Sequence, residues 1–182
     1  MIRQPTTRGL VPSTIRRCGL SLGSNLGDRL LSLRTAAQAV ELLADFSQPV
    51  LKSSVYETEP VGCEPGTANF YNAVMEIGFF GEPESLLQRL HAVESALGRP
   101  AARPKNAPRA IDLDLLYADG LVVRSDSLEV PHPRLAERRF VLVPLAEIRP
   151  DLILPGHERS VREWLDTLPA DGPALQLVTR DW

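Results

Sequence analysis

Apolar residues recur at two different periods along this chain of 182 residues, and the switches between them mark out its elements. Ile15 to Gly23 alternates as a strand and stops at Gly23-Ser24-Asn25. Leu26, Leu30, Leu33, Ala37, Val40 and Ala44 then follow at the spacing of a helix, with Asp28 suited to its first turn. Val50 to Thr58 predicts a second strand, Glu59 to Gly66 a loop broken by Pro60, Gly62, Pro65 and Gly66, and Phe70 to Phe80 a third strand running back antiparallel. Pro83 suits the first turn of a second helix whose stripe is Leu86, Leu90, Val93 and Leu97. Gly98 suits the position just past its end. After a loop from Arg99 to Pro108, Ala110 to Tyr117 alternates once more.

The order β-α-β-β-α-β predicts an α+β domain of ferredoxin-like arrangement, an antiparallel sheet with both helices on one face. The opposite face and its loops would then be free for ligands. Beyond Gly120 the elements shorten into a C-terminal elaboration. Within it, Ser160-Val161-Arg162-Glu163 is a capping box opening a helix that buries Val161, Trp164, Leu165 and Leu168. No repeat and no long linker separates a second domain, so residues 18–182 are expected to form one. Residues 1–17 carry Arg3, Arg8, Arg16 and Arg17, no acid and no apolar signal core, and are expected to be a flexible extension rather than a transit peptide.

The most informative chemistry lies in the last alternating run. Ile111, Leu113 and Leu115 share one face, and Asp112 and Asp114 the other. Two carboxylates two strand residues apart have Cα atoms about 6.6 Å from each other. Like charges so placed cost stability unless a cation lies between them, and hard cations such as Mg²⁺ take carboxylates plus substrate phosphates as ligands. The plain alternative is a wet polar face at a sheet edge. Just upstream, Arg99, Arg103, Lys105 and Arg109 supply cations with no acid between Arg99 and Ile111. Such a cluster is either a solvated basic loop or a polyphosphate site, for which arginine offers a planar fork. Carboxylates and cations together fit phosphoryl-type transfer. A second basic patch, Arg134, Arg138 and Arg139, surrounds His132 in a Pro-rich turn. No P-loop motif is present.

The bulk numbers exclude several classes. A net charge of −3 and 5% aromatic content disfavour nucleic acid as a partner. No apolar stretch approaches a bilayer span, so no membrane association is expected. Cys18 and Cys63 have neither metal-ligand spacing nor the look of a disulfide framework, and a reducing cytoplasm is expected.

Five segments together resemble the 6-hydroxymethyl-7,8-dihydropterin pyrophosphokinases of folate biosynthesis. They are Gly23-Ser24-Asn25-Leu26-Gly27-Asp28, Ser54-Val55-Tyr56-Glu57-Thr58-Glu59-Pro60, Phe70-Tyr71-Asn72-Ala73-Val74, Ala107-Pro108-Arg109-Ala110-Ile111-Asp112-Leu113-Asp114, and Val130-Pro131-His132 continuing through Phe140-Val141-Leu142-Val143-Pro144-Leu145. The resemblance covers roughly residues 15–165, and Pro-Arg-x-x-Asp-x-Asp is its most specific element. It implies transfer of the β,γ-diphosphate of ATP, the co-substrate, to the pterin hydroxymethyl group with release of AMP. It implies that Asp112 and Asp114 hold two Mg²⁺ ions and that Arg99 and Arg109 clamp phosphates as catalytic cations. It places His91, Glu94, Arg99, Leu115 (through its backbone), His132 and Arg138 at the ATP site. Thr58, Val61, Phe70, Asn72 and Phe140 match the pterin pocket. A monomer is expected.

The chain departs from the family pattern at Asn106, where an aromatic is common, at Glu59 in place of proline, at Ala101 in place of a second loop arginine, and at His91 in place of glutamine. The loops Glu59–Ala68 and Arg99–Pro108 would close over the substrates as lids. Two other readings use parts of the same pattern. One is a different two-aspartate nucleotide-processing enzyme, which needs no aromatic–amide pocket; the other is a non-enzymatic ligand-binding module, which needs no paired acids.

Overall fold

The computed structural model describes residues 14–99, 107–169, 172 and 174–182. The chain runs β1 (Ile15–Ser24), α1 (Arg29–Glu41), β2 (Leu51–Lys52), β3 (Val55–Thr58), β4 (Phe70–Phe80), α2 (Pro83–Ala96), β5 (Asp112–Ala118), β6 (Val123–Arg124), β7 (Glu129–Val130), a 3-10 turn (Leu135–Glu137), α3 (Arg139–Ile148), α4 (Val161–Thr167) and β8 (Gln176–Thr179). The main sheet has the order β5-β1-β4-β3-β8, with β2 also on β4, and every pairing is antiparallel. β6 and β7 form a separate hairpin. No helix among the described residues is long and apolar enough to cross a membrane.

Alternation along β1 and β5 decides which layer each residue joins. Leu20, Leu22, Leu113 and Leu115 meet Leu33, Ala37 and Val40 of α1 and Leu86 and Leu90 of α2 in one buried cluster. Helix α1 starts one turn later than the apolar spacing predicts. Asp28 is its N-cap, accepting from the Leu31 N–H at 3.0 Å, and Leu26 is left exposed. Helix α2 opens at Pro83 and stops before Gly98, whose φ of +89° is the left-handed conformation a helix end favours.

The opposite face is not free along its length. Val141, Leu142 and Leu145 of α3 and Val161 and Trp164 of α4 pack there on Val74, Leu116 and Tyr117. This corrects the expectation that the whole opposite face is free for ligands, while α1 and α2 do share one face. The run from Phe140 to Leu145 is a helix that tolerates Pro144 and is apolar enough to need a cover of its own. The capping box at Ser160 forms in both directions, as its spacing predicts, with Leu165 and Leu168 only half-buried.

Three further differences have local causes. The second strand is split at Ser53-Ser54, where Ser53 Oγ accepts from the Val74 N–H at 2.9 Å and the Ser54 N–H donates to Glu147 at 2.6 Å. Ile15, Arg16 and Arg17, counted with the extension, are paired in β1 with Phe80, Phe79 and Gly78; residues 1–13 lie outside the described residues. The alternation of β5 breaks after Leu115, where the register against β1 shifts at Gly19/Leu20. Leu116 and Tyr117 therefore both face α3 and α4, and the Tyr117 ring lies over Gly19. A Cβ on Gly19 would come within 2.1 Å of that ring, so only glycine fits opposite the bulge.

Candidate active site

At one end of the sheet, α3 and α4 leave the face uncovered, and a short row of side chains from three strands forms a floor. β1 places Gly23 between Asn72 of β4 and Asp112 of β5, and places Ser21 beside Asp114. A Cβ on Gly23 would meet Asn72 Oδ1 at 3.1 Å, so the missing side chain keeps the space between amide and carboxylate open. Over this floor lies a cavity of about 640 Å³.

One wall is aromatic and amide in character. Phe70 and Asn72 project from the same face of β4, and Asn72 Nδ2 donates to Thr58 Oγ1 at 2.7 Å. That bond fixes the amide so that its oxygen turns towards Gly23 and the cavity. Phe140 from the start of α3 and Val61 from the β3–β4 loop complete this end.

The other wall is charged. Arg109 Nη2 contacts Asp112 Oδ2 at 3.0 Å, Arg99 Nη1 contacts Asp112 Oδ1 at 3.1 Å, and Arg138 Nη1 lies 3.7 Å from Asp114 Oδ2. Guanidinium groups thus relieve the repulsion that the paired aspartates create on a strand. The same donor set suits Mg²⁺. The two carboxylates share a face, and among the described residues no three His, Cys, Asp or Glu side chains gather into a closed metal cage. An ion there would fill its shell from phosphates and water, as Mg²⁺ ordinarily does.

The cations are held by their backbones and by the aromatic rings. Asn25, buried at the end of β1, donates its N–H to the Arg109 carbonyl at 3.1 Å and accepts the Arg109 N–H on Oδ1 at 2.8 Å. The Arg109 guanidinium lies 5.3 Å from the centre of Phe70, and its Nε is buried with no protein partner. The Arg138 guanidinium is 5.6 Å from the centre of Phe140. His132 donates its backbone N–H to the Leu116 carbonyl at 2.7 Å, and its Nδ1 accepts the Arg134 N–H at 3.1 Å. The proton of the neutral ring then sits on Nε2. Burial, with Arg138 and Arg134 nearby, holds its pKa below the ordinary histidine value against the pull of Asp114.

Thr58, Val61, Phe70, Asn72, Arg99, Arg109, Asp112, Asp114, His132, Arg138 and Phe140 all line this cavity. His91, Glu94 and Leu115 do not. His91 is exposed on α2. Glu94 is buried behind the site, where it accepts the Leu113 N–H at 2.8 Å and pairs with Arg99, so it positions a cation. The Leu115 side chain is in the core, and only its backbone on edge strand β5 can be offered. Ala101, Arg103, Lys105 and Asn106 lie outside the described residues, as does most of the Arg99–Pro108 loop. The sequence pattern assigned no role to Asn25, Gly23 or Glu137, and placed Arg134 only in the second basic patch. The first two stand in the quoted Gly23-Ser24-Asn25 motif, and their parity with Ser21 was the available signal. Asn25→Ala should lower kcat by about tenfold to a hundredfold through misplacement of Arg109. Unchanged kcat in steady-state assays, or equal loss in Asn25→Asp, which keeps the acceptor, would contradict this positioning role.

Residues 19–150 match the family model of 7,8-dihydro-6-hydroxymethylpterin-pyrophosphokinase. The chain belongs to this pyrophosphokinase family. Among the family's curated proteins, the 2-amino-4-hydroxy-6-hydroxymethyldihydropteridine pyrophosphokinase of Methylorubrum extorquens is 42% identical over 158 residues, covering 86% of this chain and 96% of its own length. That of Bacillus subtilis is 44% identical over 131 residues, covering 71% and 75%. The folic acid synthesis protein fol1 of Pneumocystis carinii is 39% identical over 150 residues, but this chain spans only 20% of its length. The pyrophosphokinase fold is also seen in the Plasmodium falciparum HPPK-DHPS crystal structure with SDX-DHP, at a TM-score of 0.67 and 15% identity over 84% of this chain and 44% of that one.

Proposed function

We propose that this chain transfers the β,γ-diphosphate of ATP to the hydroxymethyl oxygen of 6-hydroxymethyl-7,8-dihydropterin, releasing AMP, as a step of folate biosynthesis. The observation that carries this reading is the meeting, in one cavity, of an aromatic–amide wall with a carboxylate pair flanked by arginines. A nucleotide enzyme without a pterin would need only the second wall; a binding module would need only the first. The strand order β5-β1-β4-β3, with α1 and α2 on one face, supports the ferredoxin-like reading of the domain.

In this mechanism the pterin oxygen bonds to the β-phosphorus while the bond from that phosphorus to the α,β-bridging oxygen breaks. AMP leaves with the bridging oxygen, and the hydroxyl proton is lost to solvent. Phe70 and Phe140 stack the bicycle, and Asn72, fixed by Thr58, reads its donor–acceptor edge. Asp112 and Asp114 would hold Mg²⁺, two ions in this reading. The metal, when bound, would supply charge stabilisation for the transfer. Phosphate oxygens compete with Asp112 for Arg99 and Arg109, and the buried Nε of Arg109 gains the partner it lacks in the protein. His132 offers an Nε2–H donor to the same anion.

Incubating the protein with ATP, 6-hydroxymethyl-7,8-dihydropterin and Mg²⁺ should yield AMP and pterin diphosphate in equal amounts. Formation of ADP, or AMP release indifferent to the pterin, would overturn the reading.

A further inference from the structure

The cations of the cavity differ in what they already hold. Arg99 and Arg109 contact Asp112, and Arg138 faces Asp114. Arg134 lines the same cavity, is exposed, and has no carboxylate within ion-pair distance among the described residues. Glu137, which also lines the cavity, is not paired with it.

The Arg134 backbone is anchored on both sides. Its N–H donates to His132 Nδ1 at 3.1 Å, and its carbonyl accepts from the Glu137 N–H at 3.4 Å, at the start of the 3-10 turn. The segment from His132 to Phe140 contributes His132, Arg134, Glu137, Arg138 and Phe140 to the cavity wall. Arg134 lies close enough to His132 and to Arg138 for its charge to lower both their pKa values, so it adds a cation to the wall that faces Asp114, where a diphosphate held by the carboxylates would lie.

We propose that Arg134 is a further phosphate-binding residue of this site, gripping the β,γ-diphosphate rather than the departing AMP. This rests on the function proposed above. An incoming polyphosphate must displace an aspartate to reach Arg99, Arg109 or Arg138, whereas Arg134 meets it without that exchange. An exposed guanidinium used this way strengthens substrate binding more than it strengthens the fold.

Calorimetric titration of α,β-methylene-ATP and of AMP, each with Mg²⁺, into wild-type protein and Arg134→Ala tests the proposal. The expected result is an affinity for the analogue lowered by about tenfold, AMP binding changed by less than about twofold, and partial recovery in Arg134→Lys. The melting temperature should not move, since the side chain is exposed. Analogue binding within about twofold of wild type, or equal losses for analogue and AMP, would overturn the role given to Arg134. A wild-type protein that binds no analogue would instead bring down the proposed function, and the role of Arg134 with it.

Discussion

Asp112→Ala and Asp114→Ala should each lower kcat on the order of a thousandfold or more, because the charge stabilisation centred on these carboxylates acts in the transition state. The geometry makes a second, less obvious expectation about substrate affinity. Asp112 is the contact shared by Arg99 and Arg109, at 3.1 and 3.0 Å. Removing it takes a competitor for phosphate away from both guanidiniums, while Arg99 keeps its pair with Glu94. Apparent affinity for the nucleotide should therefore fall much less than turnover, and the loss should sit in kcat rather than KM. Asp112→Asn preserves shape while losing the charge, so it should fare little better than alanine. Both aspartates belong to an open face, and the variants should keep the wild-type melting temperature within a few degrees. Steady-state AMP formation at saturating pterin checks the pair. Turnover within about tenfold of wild type in either alanine variant would refute the assignment to metal-based charge stabilisation.

Local signals in the sequence were enough to reach the layer formed by α1, α2 and the strands β1, β3, β4 and β5. Pro83 and Gly98 punctuate α2, and strict alternation places Asp112 and Asp114 together on one face. The pocket residues were legible for a different reason: Phe70 and Asn72 are two apart on one strand, so parity alone puts them side by side. What escaped depended on partners distant in the chain. Helix α3 was hidden because Phe140 to Leu145 has no polar stripe and contains Pro144, and only Val74, Leu116 and Tyr117 across the sheet explain its apolarity. The bulge at Leu116 needs Gly19, almost a hundred residues away, to make room for the Tyr117 ring. The cations at first read as a single phosphate cluster divide once side chains are placed: Arg109 is in the cavity wall, whereas Arg103 and Lys105 fall outside the described residues. The resemblance put Glu94 beside His91 at the ATP site, and its burial against β5 could not be inferred from spacing along α2.

The least legible residue, Glu76, should give the largest change in stability. It is a single acid inside the apolar run of β4, on the same sheet face as Asn72 but at the far end, and it is 1% exposed. Its carboxylate accepts from Arg17 Nη1 at 2.9 Å, from the buried Tyr117 hydroxyl at 2.8 Å and from Arg149 Nε at 2.9 Å. Those partners come from β1, β5 and the end of α3, so one side chain of β4 ties three strands to the α3 layer. Glu76→Ala should reduce the unfolding free energy by about 3 kcal/mol, the lower end for a broken buried ion pair, because Arg17 and Arg149 are partly exposed and can turn to water. The Tyr117 hydroxyl has no such escape. Burial alone would raise the Glu76 pKa, but the hydrogen bonds from Arg149, Tyr117 and Arg17 outweigh it and hold it below the ordinary value of 4.5. A depressed folded-state pKa means that the charged form stabilises the protein above the unfolded-state value, and that this contribution is lost as pH falls through the lower folded-state value. The stability gap between wild type and Glu76→Gln should thus be full at neutral pH and begin to close only below about pH 4.5. Urea unfolding of both variants across that range is the measurement. A Glu76→Ala loss under about 1 kcal/mol at neutral pH, or a gap that stays constant into acid, would show that the network fills space rather than binding α3 to the sheet.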